Sequence, residues 1–138
     1  MNIRQTYEFL LQIRRIEPRI QHAIIQYESL KSVLLPSGIR YDLDKIQTTP
    51  ADQMSAITAR LIDLEQEVFD MQDYRERVAV EITDAIRKLH EKDEQAVLMA
   101  YYLGRKKMED IAEEMPCSIR TAYYLKRKGV SHLSNILK

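Results

Sequence analysis

From Met54 to Leu89, positions return in alternating steps of three and four: Met54, Ile57, Leu61, Leu64, Val68, Met71, Arg75, Val78, Ile82, Ala85 and Leu89, of which only Arg75 is polar. A repeat of about 3.5 residues makes a helix whose narrow apolar seam winds left-handed around a partner. Taken from Gln53 to His90, the helix is roughly 57 Å long at ~1.5 Å per residue. A single helix of that length with one apolar stripe must bury it against something. Two partners are available: the first helical segment, folded back as an antiparallel hairpin, or the same helix in a second copy. Tyr74 and Ile86 lie off the main seam and would remain for a second copy even in a hairpin.

The first segment, about Asn2 to Leu35, is amphipathic at helical period, with Leu10, Ile13, Ile16, Ile20, Ile24, Tyr27, Leu30 and Leu34 as its stripe. Pro18 falls inside it and predicts a kink or a helix start at Glu17. Pro36-Ser37-Gly38 should end this helix. Residues 36–52 then form the one long irregular stretch, with Ile39, Tyr41, Leu43 and Ile46 as side chains able to pack on helices and Asp52 as a cap for the long helix.

Glu91-Lys92-Asp93 marks a break. Asp93 is expected to cap a helix running through Ala96, Val97, Leu98, Ala100 and Tyr101 to Leu103, with Gly104 as its C-terminal residue. Two further helices come after it, so residues 93–138 read as a small trihelical head on a hairpin of residues 1–92. Such a head buries little alone, and its last helix, through Val130, Leu133, Ile136 and Leu137, is expected to dock widely. The fold class is therefore all-α, which suits a chain with only 3 Gly and 4 Pro.

Formal charge sums to zero, but unevenly: residues 1–103 hold 13 Lys/Arg and 17 Asp/Glu, and residues 104–138 hold 8 Lys/Arg and 4 Asp/Glu. A basic end on an acidic body points to an anionic partner for that end. Within it, Ile111, Ala112 and Met115 share one face of a short helix. Pro116-Cys117 interrupts that helix, because proline lacks an N–H and disfavours helical geometry in Met115. Ser118 can then cap a second helix that turns Ala122, Leu125 and Gly129-Val130 inward. Ala112 supplies the small side chain that two crossing helices need. From Ser118 onward there are five Lys/Arg (Arg120, Lys126, Arg127, Lys128 and Lys138) and no acid. Together these predict a helix-turn-helix whose second helix suits a DNA groove, against the blander alternative of an αα-hairpin with a solvated basic face.

Other chemistry has little support. His22, His90 and His132 lack partners at metal-ligand spacing. Cys117, the single cysteine, has no neighbouring base and reads as a packing residue. Glu109-Asp110 and Glu113-Glu114 read as a solvated face, and the three isolated glycines make no phosphate loop. The expectation is a non-enzyme with no metal and no cofactor. One cysteine, no apolar leader and no membrane-length apolar run together predict a cytoplasmic protein.

The stretch YYLGRKKMEDIAEEMPCSIRTAYYLKRKGVSHL resembles region 4 of sigma-70 factors. The resemblance rests on the aromatic pair Tyr101-Tyr102, the loop Gly104 to Lys107, Ile111-Ala112, the turn Met115 to Cys117, the capping Ser118, and Ala122 with Leu125. Pro116 stands where that pattern usually carries glycine. More loosely, the whole chain, with YDLDKIQTTPADQM ahead of the long helix and the head at the end, is similar to small phage and prophage transcriptional regulators of the ArpU/RinA-like late type. The resemblance implies that Ile119, Arg120, Tyr123 and Tyr124 reach base edges, with Arg120 placed to bond guanine O6 and N7. It implies phosphate contacts from Arg105, Lys106, Lys107, Ser118, Thr121, Arg127 and Lys128. The expected function is sequence-specific, major-groove DNA binding in transcription regulation of phage or mobile-element genes. Duplex DNA is the expected partner, RNA polymerase a further one, and a homodimer or higher homo-oligomer would form through the long helices. Two alternatives stay open: a protein-interaction module that binds RNA polymerase or another regulator through the sigma-like head, and a small terminase-like DNA-packaging subunit.

Overall fold

The computed structural model describes residues 1–34 and 50–137, with Pro50 and Ala51 described by their backbone alone. The described residues are all-helical: α1 (Ile3–Val33), α2 (Pro50–Arg87), α3 (Lys92–Leu98) continued by a π-helical stretch (Met99–Leu103), α4 (Met108–Glu114) and α5 (Ile119–Ile136). None of these helices is long and apolar enough to cross a membrane. The expected packing of Ile39, Tyr41, Leu43 and Ile46 lies outside the described residues. Pro50 already opens α2, so Asp52 stands in the first turn and is not the cap.

α1 starts on a reciprocal cap. The Gln5 N–H donates to Asn2 Oδ1 at 2.8 Å, and the Asn2 N–H donates to Gln5 Oε1 at 3.0 Å. Thr6, fully buried, donates its hydroxyl to the Asn2 carbonyl at 2.9 Å. The helix does not restart at Glu17; Pro18 sits inside it. Pro18 is exposed, so water can reach the carbonyl it leaves unpaired one turn back.

The molecule packs as two compact units, Met1–Ile16 with Arg75–Lys138, and Glu17–Tyr74. The division by packing thus differs from a division by chain order at residue 92. It falls beside Pro18 on α1 and at Arg75, the polar break in the seam, on α2.

In the first unit, Leu10 and Ile13 of α1 and Val78, Ile82, Ala85, Ile86 and Leu89 of α2 share one core with Leu98, Tyr102, Val130 and Leu133. Ile136 and Leu137 pack against it, which is the wide docking of the last helix that a small head requires. Ile86 is fully buried here, so it is not left for a second copy; the α-helical period carries residue 86 onto the face that meets the head. Arg14 ties α1 to this core by donating to the Tyr101 carbonyl at 2.6 Å, with its guanidinium 4.0 Å from the centre of the Tyr101 ring. Burial holds the Tyr102 phenol well above its ordinary pKa, so it stays neutral.

In the second unit, Ile20 and Ala23 of α1 and Leu61 and Leu64 of α2 are buried. Arg19 and His22 line a groove with Met71, while Tyr27 donates its hydroxyl to Glu65 at 2.8 Å. Later residues of α1 meet earlier residues of α2, so the pair is antiparallel. The Glu65 carboxylate that accepts this bond raises the Tyr27 pKa above its ordinary value.

Candidate nucleic-acid interface

α4 and α5 are held by a small core of their own: Val97, Met108, Ile111, Ala112 and Ala122, with Met115, Cys117 and Leu125 packed on its edge. The turn between them is tied by backbone bonds, Met115 N–H to Ile111 O and Cys117 N–H to Ala112 O, both at 3.0 Å. Ser118 is the N-cap of α5 (φ −74°, ψ 156°), and its Oγ accepts from the Thr121 N–H at 3.0 Å. Pro116 has φ 22°, a conformation that the glycine of the resembled pattern adopts freely and a pyrrolidine ring resists.

α5 separates its faces cleanly. Ala122, Gly129, Val130 and Leu133 are buried. A Cβ on Gly129 would stand 3.1 Å from Leu98 Cδ1, so the absence of a side chain lets α5 approach α3 closely. The outer face is Ile119 (46% exposed), Tyr123 (41%) and Tyr124 (49%) together with the exposed Arg120, Arg127 and Lys128. Neither tyrosine is core. The Lys128 ammonium lies 5.7 Å from the Tyr124 ring centre, so these two share a patch. Ser118 and Thr121 are joined to each other through their hydroxyls at 2.9 Å. Lys126 is turned away from this face, with its ammonium 4.2 Å from the Tyr101 ring centre.

The loop cations stand on a different element. Gly104 ends the helix as its C-cap, with φ −81°. Its lack of a side chain is needed because a Cβ would fall 2.8 Å from the Ala100 carbonyl oxygen. The left-handed residue is Arg105, at φ 55°. The π-helical stretch displaces the chain reversal by one residue: Gly104 N–H reaches Met99 O at 2.9 Å and Lys106 N–H reaches Ala100 O at 3.0 Å. Arg105 and Lys107 are exposed. Lys106 is brought to Glu114, with Nζ 2.7 and 2.8 Å from the two carboxylate oxygens. That pair is about half exposed on both sides and so is readily exchanged for another anion.

Asp93 does not cap α3. The cap residue is Glu91, with no side-chain bond, and Asp93 lies in the first turn. The important acid here is Glu94, which is 4% exposed. Its carboxylate oxygens lie 2.7 and 3.1 Å from His132 Nδ1, joining α3 to α5. Nothing local in the sequence marks this pair, since its members are 38 residues apart. The one available signal was an acid amid the apolar positions Val97 and Leu98. Among the described residues, no group of three His, Cys, Asp or Glu is arranged to hold a metal.

These features define a class: an all-α protein whose C-terminal head carries a helix-turn-helix arrangement with a basic, aromatic second helix. The chain belongs to the family described as a protein of unknown function (DUF1492), whose model matches residues 34–134. No curated protein and no solved structure matches it.

Proposed function

We propose that the chain is a sequence-specific DNA-binding transcriptional regulator of phage or mobile-element genes, reading the major groove with α5. The observation that carries this reading is the two-faced second helix. A capped, tightly packed inner side fixes its orientation, while Arg120, Tyr123, Tyr124, Arg127 and Lys128 stand outward with no acid among them. A groove-reading helix needs both: rigidity for register, and cations for the phosphates on either side. Arg120 is in the first turn of α5, where the N-terminal part of a recognition helix meets base edges, and its guanidinium matches guanine O6 and N7. Arg127 and Lys128, with Arg105 and Lys107, would neutralise phosphates. Lys106 would do so only by leaving Glu114.

The test is retention of fragments from the source genome, then titration of a retained fragment and a scrambled one at two salt concentrations. The reading expects a preference for the retained fragment and a steep loss of both affinities with salt. No binding that depends on the basic residues would end it.

The exposed Ile119, Tyr123 and Tyr124 favour one second reading, in which this face meets RNA polymerase or another regulator. Arg120→Ala separates the two, because loss of fragment preference belongs to DNA reading alone.

A further inference from the structure

We infer that the open seam of the Glu17–Tyr74 unit is a docking groove, and that its occupant is the basic outer face of α5 from a second copy of this chain. Among the described residues of that unit, four apolar side chains are buried: Ile20, Ala23, Leu61 and Leu64. On the flank of these residues, the described parts of the two helices leave a groove between them. Ile24, Tyr27, Val68 and Phe69 line an open groove of about 270 Å³, rimmed by Glu28 and Glu65. Phe69 is 65% exposed at its edge. An aromatic ring held that far into water at the lip of an apolar groove gains from a covering surface.

Charge selects the covering surface. Described residues 17–34 and 50–74 hold eight Asp/Glu and three Lys/Arg. A symmetric pairing of two such hairpins would press acid against acid. A complementary surface needs cations around apolar anchors. The outer face of α5 has both, with Arg120, Arg127 and Lys128 around Ile119, Tyr123 and Tyr124. Head on hairpin joins two different surfaces, so copies either close on one another, reciprocally in the smallest case, or add successively into larger assemblies. The docked face is also the one proposed to read DNA. Where that reading holds, DNA and self-association exclude each other.

Sedimentation velocity of the full chain tests this at about 0.1 M and about 1 M salt, where the screening length falls from about 10 to 3 Å. The expected result is association that grows with concentration and weakens about tenfold or more at the higher salt. Arg127→Glu and Glu28→Lys should each weaken it about tenfold. Mixing these two variants should restore it, because the reversed head meets the reversed groove. Phe69→Ser should weaken it without altering the far-ultraviolet circular dichroism. A chain that is monomeric throughout overturns the inference, as does association indifferent to Arg127→Glu, or a mixture that fails to recover. Addition of duplex DNA distinguishes the two proposals. Association without DNA binding defeats only the regulator reading, and DNA binding by a monomer defeats only the docking.

Discussion

The two compact units are built from the same two long helices and differ in how much they enclose. Met1–Ile16 with Arg75–Lys138 takes seventeen of the buried hydrophobic residues found among the described positions, and Glu17–Tyr74 takes four. The seam residues are similar in type on both sides of Arg75. Among the described residues, what differs is the presence of third and fourth elements: Leu98, Tyr102, Val130 and Leu133 close over α1 and α2 in the first unit. Where an apolar residue meets the surface of one neighbouring helix, a large share of its area stays wet. Ile57, Val68 and Met71 are accordingly half-buried, where Val78, Ile82 and Ala85 are covered. A heptad pattern thus specifies that a helix needs cover without saying how much cover it finds.

The largest test of this difference is a pair of truncations. Leu133→Ala, in the shared core of the first unit, should cost about 3–5 kcal/mol in urea unfolding, and Leu61→Ala, in the thin hairpin, about 2 kcal/mol. Equal losses would erase the contrast.

Next comes the Glu94–His132 link, which exists only in the enclosed unit. His132→Ala leaves the buried carboxylate without its partner and should cost about 1–3 kcal/mol. Adding Glu94→Gln should recover part of that loss, since the amide carries no charge to desolvate. A double variant as unstable as the sum of both singles would mean that the pair does not act as a unit.

Arg120→Ala should leave the urea midpoint unchanged and weaken binding to a preferred DNA fragment by about 1–3 kcal/mol, while sparing scrambled DNA. Equal loss on both fragments would reassign Arg120 to phosphate.

Smaller still is Arg105→Gly, where relief of a left-handed φ is partly offset by loss of the guanidinium's own interaction, so urea unfolding should show the first unit stabilised by less than about 1 kcal/mol. Lys106→Ala closes the series at under about 0.5 kcal/mol, because its pair with Glu114 is exposed.

Much of this architecture is legible in the sequence. The alternating steps of three and four mark α2 and its need for a partner, and Ser118 marks the start of α5 because a cap is a local signal. The inward set Ala122 and Val130 comes from helical period. The departures have physical sources as well. Asp93 and Asp52 are good capping residues, but each helix begins earlier, since a side chain that can cap does not oblige the chain to leave helical geometry there. Gly104 does end its helix as read, but the left-handed residue is Arg105, and the glycine is required for the approach to Ala100. The candidate interface is readable as a set of exposed positions on α5. That Lys106 is engaged by Glu114 and Lys126 by Tyr101 is not, because those partners come from other elements.

Sequence by itself determined that this chain is helical, where its capped second head helix begins, and which side of that helix is basic. Those properties depend on neighbours within a few residues, where period and backbone bonding act. Tertiary structure alone decided that Ile86 is covered, that Glu94 meets His132, and that the seam closes on one side of Arg75 and stays open on the other. Each depends on which distant surface arrives to exclude water, and a repeat along one helix holds no record of that.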